Sequence, residues 1–164
     1  MTQIILGLDP GTAATGYGVV VTNDVTTRHI AHGCITTSSK TEMAQRLNTI
    51  AKELRSIIRE YKPNIVAVED IYFCKNVSTA IVVAQARGVL LQIVATAKLP
   101  VRHYTPLQVK QALTGHGRAD KKQIQKMVKM VLGMKNVPKP DDAADALAVA
   151  ITCAHSSKLE SHIR

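Results

Sequence analysis

The 164-residue sequence has no tryptophan, a single phenylalanine and 3% aromatic residues in all, so any core it builds must be aliphatic. Acids are scarce beside bases, 12 against 21, which leaves a formal net charge of +9. That balance disfavours a cationic partner and favours a polyanion, nucleic acid before others. Cysteine is sparse and odd in number: Cys34, Cys74 and Cys153 are far apart and include no C-x-x-C pair. This excludes a disulfide framework or a cysteine-bound zinc and suits packing residues in a reducing cytoplasm. The start, Met1-Thr2-Gln3-Ile4, has neither a basic segment nor an apolar stretch to direct export. The apolar run from Val77 to Ala97 is broken by Gln85, Arg87 and Gln92, costly at mid-bilayer, so no membrane is expected and the run reads as a buried helix. The six histidines show no ligand spacing, and internal repeats and low-complexity segments are lacking.

What is present suffices for one hydrophobic core. At 46% hydrophobic residues the chain is not disordered, and its length suits one domain, read as 1–156 with a polar tail at 157–164. Ile4 to Leu8 is an aliphatic run ending at Asp9-Pro10-Gly11, a buried strand followed by a turn. Tyr17 to Thr22 and His29 to Thr36 read as two more strands, hairpin-connected around Asn23-Asp24. From Met43 to Tyr61 apolar residues recur at helical spacing, and Pro63-Asn64 ends that helix. Ile65 to Val68 is another strand, ending at Glu69-Asp70; the long apolar helix and a short strand at Val101 to Tyr104 follow. Thr105-Pro106-Leu107-Gln108 and Asp120-Lys121-Lys122-Gln123 each have the capping-box pattern of a helix start. Gly133 suits the end of the second of these, and Pro138-Lys139-Pro140-Asp141 launches the last helix. The order predicts an α/β fold, a mixed sheet flanked by helices.

The chemistry follows from where the carboxylates fall. Asp9 and Glu69 end two strands; if these are parallel neighbours, both acids emerge at the sheet edge where such folds bind ligands. Asp142 and Asp145, three apart, share one face of the last helix, amid alanines that leave them wanting a partner. Singly, each has a plain structural reading: a turn for Asp9, a solvated strand end for Glu69, a helix start for Asp141, an ion pair with a lysine such as Lys110 for Asp145. As a set they read differently. No basic residue lies within two positions of Asp9, Glu69, Asp142 or Asp145 in the sequence. Convergent carboxylates cannot all ionise without a cation, and oxygen-only ligands suit Mg²⁺ or Mn²⁺. Hard ligands on a basic chain are the arrangement expected for metal-assisted phosphodiester cleavage, two ions flanking the reacting phosphate.

The residues also carry a resemblance. Gly7-Leu8-Asp9-Pro10-Gly11-Thr12 with Gly16-Tyr17-Gly18, then Val68-Glu69, Lys75-Asn76 and Gln85-Ala86-Arg87-Gly88-Val89, then Gln108-Val109-Lys110-Gln111 and Asp142-Ala143-Ala144-Asp145-Ala146-Leu147-Ala148, resemble the RuvC-type crossover junction endodeoxyribonucleases in order and register. The resemblance runs from about Ile4 to His155. It implies a ribonuclease H-like fold with Asp9, Glu69, Asp142 and Asp145 as catalytic metal ligands. Spacing alone leaves Asp141 and Asp142 equivalent; the family's D-A-A-D pattern selects Asp142. It implies, too, that an aromatic after the central Glu unstacks bases at a four-way (Holliday) junction. Tyr72 occupies that position, where phenylalanine is usual, and Phe73 follows it, so both rings are candidates. Lys110 and Lys121 match the family's basic positions near the scissile phosphate, while Arg118, Lys122 and Lys75 would extend the backbone contact. A homodimer, joined through the Val77–Ala97 helix, and a branch-migration complex are the implied partners.

Two rival classes share parts of the pattern. The Asp9-Pro10-Gly11-Thr12 turn is similar to the phosphate loop of actin-like and sugar-kinase ATPases, but those need two lobes and roughly twice this length. A non-catalytic junction-binding module would use the acids only as caps and solvated ends.

Overall fold

The computed structural model describes residues 2–23, 25–70 and 77–162. Tyr72, Phe73 and Lys75 lie outside them. Three strands, β1 (Gln3–Asp9), β2 (Ala14–Thr22) and β3 (Thr27–Thr36), lead into helix α1 (Met43–Tyr61). Strand β4 (Ile65–Glu69), helix α2 (Val77–Thr96) and strand β5 (Val101–Tyr104) come next, then helices α3 (Pro106–Thr114), α4 (Lys121–Val131) and α5 (Asp141–His162). The helix thus continues beyond Ser156, where the sequence turns polar.

The strands form one sheet in the order β3-β2-β1-β4-β5. β1 pairs antiparallel with β2 and parallel with β4, which in turn is parallel to β5. Side chains of successive residues alternate between faces, and two core clusters follow that parity. Ile5, Val20, Ile65, Ala67 and Tyr104 pack with residues of α3, α4 and α5. Leu6, Leu8, Val19, Val66 and Val68 pack with α1 and α2 through Ile50, Leu54, Ala86, Leu90 and Val94. Both cores are aliphatic but for Tyr104 and the margin at Tyr17 and Tyr61.

Helix α5 lies unusually close to the sheet because glycine and alanine line the contact. A Cβ on Gly7 would lie 2.1 Å from the Ala146 carbonyl oxygen, and one on Gly16 would lie 2.0 Å from that of Asp142. Only glycine permits this backbone approach. On the helix side Ala143, Ala146 and Ala150 are fully buried, with Leu147 and Ile151 filling the remaining space. The approach carries the first turn of α5 to the ends of β1 and β2, since Asp9 pairs with Gly16.

The capping signals are realised. Thr105 accepts from Gln108 N–H while the Gln108 side chain accepts from Thr105 N–H, and Asp120 and Gln123 do the same at α4. Gly133 takes a positive φ of 62° just beyond α4, the left-handed conformation that ends helices. In the β2–β3 turn the Asn23 side chain accepts from the Thr26 N–H; Asp24 is outside the described residues. One expectation is corrected. Helix α2 is buried on one face only: Ala86, Leu90, Ile93 and Val94 pack in the core, while Ile81 remains 55% exposed. A single sheet face and α1 cannot cover a helix that is apolar nearly all round.

Candidate metal centre and nucleic-acid interface

The alternation that builds the core also aims the acids. Asp9 follows Ile5 and Gly7 on the face toward α5, and Glu69 follows Ile65 and Ala67 on the same face. Because β1 and β4 are parallel and in register, both carboxylates emerge at the same edge. The turn after Asp9 is pinned: Thr15 Oγ1 donates to the Gly11 carbonyl at 2.6 Å, and Thr37 ties down Thr12 and Ala13. From above, α5 brings Asp142 and Asp145.

Carboxylate oxygens of Asp9, Asp142 and Asp145 lie within 4.8 Å of one another. Glu69 is not in that trio but is hydrogen-bonded to Asp9. Among these acids like charge accumulates in a partly buried place. Burial, then the charges of Glu69, Asp145 and Asp142, push the Asp9 carboxyl up to about 8. Burial also raises Glu69 and Asp145, opposed by the Asp9 hydrogen bond in the first case and by Lys121 in the second. Four oxygen donors that repel one another when charged fit a hard divalent cation, which would relieve the repulsion.

The local counter-charge comes from α4. Lys121 Nζ lies 3.0 Å from Asp145 and 3.8 Å from Asp141. Burial lowers Lys121, but its hydrogen bond to Asp145 and the surrounding carboxylates outweigh that and hold it above its ordinary value. Lys110, the alternative partner weighed for Asp145, instead lines the adjoining cleft. That cleft, about 210 Å³, is bounded by Glu69, Pro106, Lys110, Lys121, Ile124 and Asp145. Acids and lysines therefore share one opening, suited to a phosphate held beside a cation. Arg118 and Lys122 are exposed, before and within α4. Asp141 diverges from the acidic group: Lys139 Nζ donates to it at 2.8 Å, and this lysine keeps its carboxyl below the ordinary value.

Two features went unread in the sequence. Asp70, next to Glu69 but on the opposite face of the sheet, accepts from Arg87 Nη2 at 2.6 Å. In the sequence Arg87 stood out only as a polar break in an apolar run and as part of a motif, and the pairing depends on the β4–β5 register that brings His103 alongside. Cys34 lies near the acids; burial and then the charge of Asp142 push its thiol up to about 11. A thiol so raised stays protonated at neutral pH.

A mixed five-stranded sheet with acids at the ends of its first and fourth strands, met by two more from a closing helix, defines a ribonuclease H-like protein with an acidic site. Residues 5–153 match the family described as "Crossover junction endodeoxyribonuclease RuvC". A protein of that name from Syntrophomonas wolfei is 52% identical over 159 residues, covering 97% of this chain and 92% of its own. Another from Heliobacterium modesticaldum is 52% identical over 154 residues, covering 94% and 95%. Among solved structures, Thermus thermophilus RuvC in complex with a Holliday junction substrate is 35% identical, covers 97% of each chain and superposes with a TM-score of 0.91. The chain belongs to the RuvC family of crossover junction endodeoxyribonucleases.

Proposed function

We propose that this chain resolves four-way DNA junctions by paired, symmetric, Mg²⁺-dependent hydrolysis of phosphodiester bonds, in DNA recombination and repair. The observation that carries the reading is the convergence of Asp9, Asp142 and Asp145, with Glu69 beside them, in a chain of this family. The junction held by the Thermus relative supports the choice of substrate. In this reading the four carboxylates hold Mg²⁺, two ions per site, and Mn²⁺ can replace it. The bound cation supplies activation of water for attack and stabilisation of the leaving oxygen. Asp9 would hold the cation in its deprotonated form, and Lys121, paired with Asp145 beside the cleft, would be placed to meet a DNA phosphate. Lys110 binds the same strand from the cleft, and Arg118, Lys122 and Lys75 follow the backbone. Tyr72 or Phe73 stacks on a base at the crossover.

Residues 1–156 form the nuclease domain, cytoplasmic in this reading, and the protein acts beside a branch-migration complex. One acidic centre nicks one strand, so two symmetric nicks call for two copies. The outward apolar face of α2, with exposed Ile81, supports a homodimer joined there. The test is cleavage of an end-labelled four-way junction beside a linear duplex of the same sequence, in Mg²⁺ or EDTA. Paired nicks in the junction alone, only with Mg²⁺, are expected. Tight junction binding without cleavage in Mg²⁺ or Mn²⁺ would instead favour a binding module.

A further inference from the structure

On the face of the sheet opposite the acids, directly behind Glu69, three side chains from three elements meet. Glu69 and Asp70 are consecutive, so the strand sends Glu69 toward α5 and Asp70 toward α2. The Asp70 N–H donates to the Tyr104 carbonyl at 2.8 Å, carrying the parallel pairing of β4 and β5 one residue past the Glu69–Tyr104 pair. Its carboxylate accepts from Arg87 Nη2 at 2.6 Å. The same nitrogen donates to His103 Nδ1 at 2.9 Å, and His103 stands opposite Val68 in the β5 register.

Arg87 is firmly based. Its neighbours in α2, Ala86 and Leu90, are fully buried in the core cluster that contains Val68. Its own side chain is only 22% exposed. Yet it is not optimised for stability: its buried Nε–H has no acceptor among the described residues, an arrangement that costs free energy. The geometry suits anchorage. The backbone bond to Tyr104 holds the peptide between Glu69 and Asp70, and the Arg87 pair holds the Asp70 side chain immediately behind it.

We infer that Arg87, through Asp70, is a positioning residue that holds Glu69 in place to receive the cation at the acidic centre. This rests on the reading of Glu69 as a metal ligand in a junction nuclease. Residues that orient a ligand from behind commonly matter nearly as much as the ligand itself.

The test measures Mn²⁺ affinity by electron paramagnetic resonance, without DNA, alongside junction binding in EDTA and cleavage as a function of Mg²⁺. The variants are Arg87→Met, Arg87→Lys and Asp70→Asn, each checked by thermal melting. For Arg87→Met we expect Mn²⁺ affinity to fall roughly 10–100-fold, with cleavage recovering at high Mg²⁺ and junction binding in EDTA unchanged within about threefold. Arg87→Lys, which keeps the charge, should recover part of the loss. If Arg87→Met does not fold, Asp70→Asn, which keeps an acceptor for Arg87 but removes the charge, is expected to weaken Mn²⁺ binding in the same direction. Wild-type Mn²⁺ affinity in the folded variants would overturn the inference. So would junction binding lost in step with cleavage, which would make Arg87 a DNA contact. A wild-type chain that binds Mn²⁺ but never cuts would overturn the nuclease reading alone, leaving the Mn²⁺ comparison to judge the clamp.

Discussion

Loading of the acidic centre with a divalent cation should depend steeply on pH, because one proton must leave first. Without metal, Asp9 holds its proton up to about pH 8, since burial and three neighbouring carboxylates disfavour its charge. A cation binds the carboxylate and not the acid, so apparent affinity falls with the fraction deprotonated. For one such proton, affinity at pH 6 lies roughly 100-fold below its plateau and at pH 7 about tenfold below, levelling off above pH 8. Titration calorimetry with Mn²⁺ in two buffers of different ionisation enthalpy measures both the affinity and the protons released. Close to one proton should be released at pH 6.5 and almost none at pH 9. In Asp9→Asn, which has no proton to lose there, the remaining binding should be weaker and its pH slope much reduced. An affinity flat from pH 6 to 8, or binding without proton release, would refute the reasoning.

Stability should show the same electrostatics with the opposite consequence. Asp9 has a folded value raised from 3.8 to about 8, so its charge opposes folding. The cost is absent below about pH 4, grows as pH rises, and is complete above pH 8. In EDTA at pH 8, Asp9→Asn is therefore expected to be more stable to urea than the parent, by roughly 2–5 kcal/mol, with the difference nearly gone at pH 4. Gly16→Ala puts a methyl against the Asp142 carbonyl oxygen; chemical denaturation should show a loss of roughly 2–4 kcal/mol, with weakened Mn²⁺ binding as the start of α5 is displaced. Lys110→Ala is expected to weaken junction binding for all sequences alike and to lower the slope of log affinity against log salt by about one unit; an unchanged slope would remove Lys110 from the interface.

How much of this was legible depended on whether the cause was local. The starts of α3 and α4 were readable because Thr105 with Gln108, and Asp120 with Gln123, carry their own hydrogen-bonding logic. Asp9 and Glu69 could be placed at strand ends because an aliphatic run stops at each. Their meeting was conditional in the sequence, since the parallel pairing of β1 with β4 joins segments about 60 residues apart. Spacing could not separate Asp141 from Asp142. In the fold Asp142 joins Asp9 and Asp145, whereas Asp141 turns to Lys139. The burial expected of α2 holds on one face only, because apolarity reports what a helix can bury, not how much surface its neighbours offer. The close seating of α5 on Gly7, Gly16 and Gly18 did leave a signal: one glycine in the first strand and two at alternate positions in the second, matched by small residues along a helix. The Asp70–Arg87–His103 contact left none, for it exists only once three separate elements are in register.

The most direct measurement is single-turnover cleavage of a four-way junction by Asp9→Asn, Glu69→Gln, Asp142→Asn and Asp145→Asn, with junction binding measured in parallel. If the four acids hold the cation that drives hydrolysis, each variant should bind the junction within a few-fold of wild type yet cut it roughly a hundredfold more slowly or worse. Wild-type cleavage by any well-folded variant would contradict the role given to that acid, and wild-type cleavage by Asp9→Asn would contradict the metal centre as a whole.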